Sequence, residues 1–138
     1  MQVKNQSLTF IAEIGLNHNG SIDLAKKHIE VAKESGADIA KFQNYYTETR
    51  AYDKQNSIIG DILKKCELNP DQFLELKNFC DELKIEFAST PFCEKSAELL
   101  NLLIVSDILG RYRLQRGLQP LRPNHKISHP CHAVFLGL

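Results

Sequence analysis

Apolar and polar positions change period several times along this chain, and each change marks an element. Phe10, Ile11, Ala12 and Ile14 form the near-continuous apolar run of a strand buried on both faces. Glu13 interrupts that run near its carboxyl end. Strand alternation puts Glu13 on the face of Ile11, opposite Phe10, Ala12 and Ile14. The Asn- and Gly-rich turn Gly15–Gly20 follows, and then a helical period begins. Ser21 is placed as N-cap with Asp23 in the first turn, Ile22, Ala25, Ile29 and Ala32 make the apolar stripe, and Gly36 suits the C′ position. Asp38–Gln43 reads as a second strand, which completes a strand–helix–strand unit with parallel strands.

The connector 44–69 is long, with a short helix expected from Ser57 to Lys65. Asn69, Pro70 and Gln72 then spell a helix start with a capping box, and Phe73, Leu76, Cys80 and Leu83 give the stripe behind it. Ile85–Thr90 is the third predicted strand, and 94–103 the helix after it. The pattern predicts an α/β fold with three successive βα units.

Each predicted strand ends in polar groups: Glu13, then Lys41 and Gln43, then Ser89 and Thr90. A buried carboxylate or ammonium must be paired or employed. Lys41 and Gln43 lie two residues apart and share a face. Ligand sites of parallel α/β proteins lie at the carboxyl ends of the strands. Glu13 and Lys41 are also able simply to pair with each other across neighbouring strands, and Thr90 to cap the next helix.

Composition narrows the partners. The chain has 138 residues, 43% hydrophobic and 25% charged, with zero net charge. That is enough for one domain with a core, and it argues against nucleic acid or an anionic membrane as partner. No apolar run reaches bilayer length and no signal peptide is expected, so a cytoplasmic protein is predicted. Cys66, Cys80, Cys93 and Cys131 have no close spacing and are read as reduced thiols.

The segments FIAEIGLNHNG, DIAKFQ and FASTPF, in this order and spacing, resemble the N-terminal part of the sialic acid synthase family: N-acetylneuraminate synthases and their legionaminic and pseudaminic acid relatives. The resemblance runs from Leu8 to Leu103. It implies a (β/α)8 barrel that condenses phosphoenolpyruvate with an N-acylated mannosamine-type sugar to a nine-carbon 2-keto acid, with Mn2+ or Mg2+ required. By motif, Glu13 is the acidic residue near the reacting centre, Lys41 and Gln43 contact phosphoenolpyruvate, and Thr90 helps to hold it. Asn17, His18, Ser89 and Phe92 shape the site. The Asn17–Gly20 turn matches the family's NHNG turn.

A whole barrel needs about 250 residues. Three βα units make a partial (β/α)8 barrel, assigned to residues 1–103, and the family's metal-binding histidines find no counterpart. Residues 104–138 read as a divergent, irregular basic tail, with Arg111, Arg113, Arg116, Arg122 and Lys126 against Asp107 alone. Its His125, His129, Cys131 and His132 offer zinc-type ligands without an evident scaffold. Two readings follow from the resemblance. The chain is a synthase of this type, or it is an inactive or interaction piece of one, exposing apolar helix faces and sheet edges and prone to form oligomers. Another aldol-type (β/α)8 lyase or synthase is disfavoured by the STP and NHNG segments.

Overall fold

A computed structural model describes residues 8–49 and 58–103, and the backbone of 131–134. The chain runs β1 (Thr9–Gly15), α1 (Ile22–Glu34), β2 (Ile39–Asn44), a 3-10 turn (Thr47–Thr49), α2 (Ile58–Cys66), α3 (Pro70–Leu83), β3 (Glu86–Pro91), α4 (Glu94–Leu102) and β4 (Cys131–Val134). The four strands form one sheet in the order β3-β2-β1-β4. Every pairing is parallel. Among the described residues no helix is long and apolar enough to cross a membrane.

The helix signals act as their chemistry dictates. The Ser21 side chain accepts from the Leu24 N–H, and Asp23 sits in the first turn of α1. Gly36, at φ +82°, takes the left-handed position past the helix end. Asn69 and Gln72 form the reciprocal capping box of α3, each side chain bonded to the other's backbone N–H at 2.9 Å. Two ends run against residue preference. α3 closes on Lys84 in the left-handed region at φ 56°, and α4 begins on Cys93, whose Sγ accepts from the Ser96 N–H. Thr90 therefore does not cap α4.

One core joins the sheet to its helices. Ala12, Ile14, Ala40, Phe42 and Phe87 meet Ala25, Ile29 and Ala32 of α1, Phe73, Leu76 and Cys80 of α3, and Leu100 of α4. Phe42 stacks on Phe87 with ring centres 5.4 Å apart, and Phe73 meets Phe87 edge-on at 6.2 Å. Lys26 bridges α1 and α3, pairing with Glu75 at 2.7 Å and lying over the Phe79 ring. The opposite face of the sheet carries a separate small cluster of Ile11, Ile39 and Ala88.

The strand β4 corrects the expectation of an irregular tail. Residues 131–134 run parallel to β1, with Thr9 opposite Cys131 and Ala12 opposite Val134. A strand edge left unpaired presents a row of backbone donors and acceptors, and these four residues satisfy part of that row. His125 and His129 lie outside the described residues, as does the basic segment from Arg111 to Lys126.

Candidate functional site

The register decides which polar groups meet. Glu13 pairs with Lys41, Lys41 with Ala88, and Gln43 with Thr90. Paired residues share a face, so Glu13, Lys41, Gln43 and Thr90 lie on the side of Ile11, Ile39 and Ala88: Glu13 and Lys41 are level with Ala88, and Gln43 and Thr90 lie one step nearer the carboxyl ends. The sequence placed these four residues together, and the structure does so too. A β-bulge between Glu13 and Gly15 ends the regular pairing just past the carboxylate. Gly15, at φ +57°, supplies the left-handed conformation there, and the Gln43 amide lies 3.6 Å from where a Cβ would stand.

The Lys41 ammonium donates to a Glu13 carboxylate oxygen as a direct ion pair. The side chains are unequally covered, 6% exposed for Lys41 and 18% for Glu13. Gln43 and Thr90 are half-buried beside them. The group thus offers one ammonium, one amide and one hydroxyl around a carboxylate, the set needed to hold and orient an oxyanion.

The other predicted site residues lie elsewhere. Ser89 is fully buried on the opposite, helix-facing side, because it pairs with Phe42 one position before Thr90. His18 is fully buried in the turn after β1, with its ring centre 6.0 Å from Phe42. The Gly20 N–H donates to its Nδ1 at 3.1 Å, which puts the ring proton on Nε2. Burial, reinforced by nearby His28, pushes the His18 pKa down to about 4, so the imidazole is neutral. Its hydrogen bond lies within the turn itself. Asn17 is exposed at the turn's rim, its N–H bonded to the Ile14 carbonyl at 3.0 Å. Phe92 lies beyond β3, donating its N–H to the Asn44 carbonyl at 3.0 Å and setting its ring against Tyr45.

Tyr45 is a supporting residue that sequence reasoning passed over. It is buried, and its hydroxyl donates to the Leu63 carbonyl at 2.8 Å, fastening α2 to the end of β2. The available signal was an aromatic residue immediately after a buried strand. Gly20 contributes to the same docking, since a Cβ on it would stand 2.1 Å from the Lys65 carbonyl oxygen.

The resemblance implies Mn2+ or Mg2+; among the described residues no group of three or more His, Cys, Asp or Glu is disposed to hold a metal ion. The carboxylate nearest the strand ends is already engaged by Lys41.

A parallel sheet backed by helices, with an ion pair, an amide and a hydroxyl gathered at the carboxyl ends of three adjacent strands, has its polar groups where α/β folds place ligand sites. Sequence comparison narrows the class. The NeuB family model matches residues 28–108. The chain is 40% identical over 102 residues to the N,N'-diacetyllegionaminic acid synthase of Legionella pneumophila, covering 65% of this chain and 29% of that protein. It is 38% identical over 106 residues to the human N-acetylneuraminate-9-phosphate synthase, covering 69% and 30%. The crystal structure of the N-acetylneuraminic acid synthetase from Leptospira borgpetersenii superposes with a TM-score of 0.68 at 31% identity, over 76% of this chain and 38% of that one. The chain belongs to the NeuB family. It spans about three tenths of the length of the curated relatives it matches.

Proposed function

We propose that this chain carries the phosphoenolpyruvate-facing part of a (β/α)8 synthase that joins phosphoenolpyruvate to an N-acylated mannosamine-type sugar. The product is a nine-carbon 2-keto acid, and inorganic phosphate leaves. The observation that carries this reading is the convergence of Glu13, Lys41, Gln43 and Thr90 at the ends of three neighbouring strands. Lys41 neutralises the charge of the phosphate or carboxylate, while Gln43 and Thr90 fix its orientation. Glu13 lies where it can stabilise a developing cation or handle a proton of the sugar. The divalent metal and the sugar are met by residues other than those described here, and the reaction runs in the cytoplasm. Synthesis by positioning and electrostatics needs the full ring of groups, of which these residues supply the phosphoenolpyruvate-facing part.

A chimera tests this reading. Residues 8–103 replace their counterpart in the Legionella enzyme, and phosphate release is followed with phosphoenolpyruvate, a panel of N-acylmannosamines and Mn2+. Release that is lost in Lys41→Met supports it. A chimera that folds and releases nothing refutes it.

A second reading is favoured by one observation. Ile58, Ile59 and Ile62 of α2 are 78%, 54% and 53% exposed, and Leu102 is 80% exposed. Among the described residues β3 also has a strand on one side only. On this reading the chain is an interaction piece that completes a barrel with a second polypeptide or with another copy of itself. Light scattering distinguishes the cases: a monomer that ignores a fragment carrying the later strands of a relative rules the second reading out.

A further inference from the structure

We propose that Glu13 is a built-in counter-ion, which holds Lys41 until an oxyanion takes its place and is released by that exchange. The inference rests on the reading of Lys41 as an anion-binding group. It adds a displacement to that reading and a reason for the position of Glu13.

Four observations carry it. Lys41 is almost wholly covered, so its ammonium needs a negative partner at all times. The described residues pair it with no acid other than Glu13. The two lie directly opposite in adjacent strands, so the pair forms without displacing backbone. The free space lies on the Glu13 side, since that side chain is 18% exposed against 6% for Lys41. Glu13 is therefore the partner able to move, and the β-bulge that follows it loosens the strand there.

Gln43 and Thr90, the next residues along the same face, are neutral hydrogen-bonding groups and leave the charge balance to the pair. An arriving phosphate or carboxylate meets three donors and one carboxylate. Two anions drawn to one ammonium repel each other, so Glu13 and the ligand compete for Lys41. When the ligand takes it, the freed carboxylate stands beside the ligand with no cation of its own, in the state that accepts a proton. The carboxylate is thus masked in the empty site and unmasked by binding.

The experiment titrates the full chain with inorganic phosphate, and separately with pyruvate to represent a carboxylate, by calorimetry and by NMR. Wild type, Glu13→Gln and Lys41→Met are compared after circular dichroism confirms that each is folded. Gln keeps the size and an acceptor oxygen but removes the competing charge. Phosphate should bind Glu13→Gln roughly tenfold tighter than wild type, and Lys41→Met should lose binding. Binding by Glu13→Gln alone, with none by wild type, supports the exchange still more strongly.

Equal or weaker binding by Glu13→Gln, with binding by wild type lost in Lys41→Met, overturns the exchange and leaves Lys41 as the anion site. No binding by wild type or Glu13→Gln overturns the anion-binding reading itself, and the exchange with it. The wild-type arm needs no variant: the 13C signal of the Glu13 carboxyl should move as phosphate saturates the site. A signal that stays fixed while phosphate binds also defeats the proposal. Comparison of the two ligands shows whether the ammonium selects phosphate or carboxylate.

Discussion

The two faces of the sheet are made by alternate residues of the same strands, yet they obey different rules. The helix-facing side stacks Ile14, Phe42 and Phe87 against α1 and α3, and all three are buried. Its polar members, His18, Asn44 and Ser89, are buried as well, and none carries a charge. The other face starts with Ile11 and Ile39 and changes within one step to Glu13 and Lys41 beside Ala88, with Gln43 and Thr90 beyond. One side is specified by volume, where a methylene matters. The other retains a charged pair that packing alone would favour replacing with apolar groups. Charge is kept at that cost at the carboxyl ends of parallel strands, where α/β folds place their ligand sites.

The comparison breaks most readily on the packed side. Phe42→Ala empties the position between Phe87 and His18 and should cost about 4 kcal/mol in denaturant unfolding. A loss below about 1 kcal/mol would mean that the two faces are not distinguished by packing. On the charged side, Glu13→Leu strands a covered ammonium and should cost about 3 kcal/mol. The double variant Glu13→Leu with Lys41→Met should recover most of that loss, because no buried charge is left alone. Additive losses in the double variant would show that the pair is not coupled.

The neutral polar side gives a pH signature. Burial, with His28 near, lowers the His18 pKa from 6.5 to about 4 in the folded chain. Between these values the unfolded chain holds a proton that the folded chain does not, so stability rises with pH through this window. The contribution is complete above about pH 6.5 and is lost on acidification towards pH 4, by at most ~3 kcal/mol. Carboxylates titrate nearby, so the difference between wild type and His18→Asn is the quantity to measure. A variant whose pH profile parallels wild type between pH 6.5 and 4 would contradict the assignment.

Most of this architecture was legible because local signals and periodicity agree. Ser21, Asn69–Pro70 and Gly36 mark helix ends by hydrogen-bonding and dihedral needs that are short in range. The alternation of Ile11 and Glu13, and the spacing of Lys41 and Gln43, gave the shared face directly. Ser89 and Thr90 were read together as one strand-end motif, while the pleat sends adjacent residues to opposite faces and puts Ser89 on the helix side. The strand 131–134 was not legible, since pairing with β1 is a contact across more than a hundred residues and its four positions carry little periodicity. Cys93 as a helix cap and Lys84 in a left-handed conformation were missed for another reason: neither residue type is preferred at the position it takes.

The smallest effect contrasts two thiols. Cys80 lies in the packed core of α3, where burial pushes its pKa up to about 12 and makes it inert. Cys93 opens α4 beyond the end of β3. Burial there works against its thiolate, but hydrogen bonds from the Ser96 side chain, from Thr49 and from backbone outweigh it, and its pKa is lowered. Iodoacetamide at neutral pH, followed by peptide mapping, should therefore modify Cys93 well before Cys80. Ser96→Ala removes a hydroxyl 2.9 Å from Sγ but keeps the Ser96 backbone N–H at 3.4 Å. It should slow Cys93 a few-fold and leave Cys80 unchanged, because only thiolate stabilisation at the loop is altered. If Cys80 reacts as fast as Cys93, the helix-facing core opens more often than its packing implies. The contrast between a side held by volume and an end held by polar contacts would then fail at the level of dynamics.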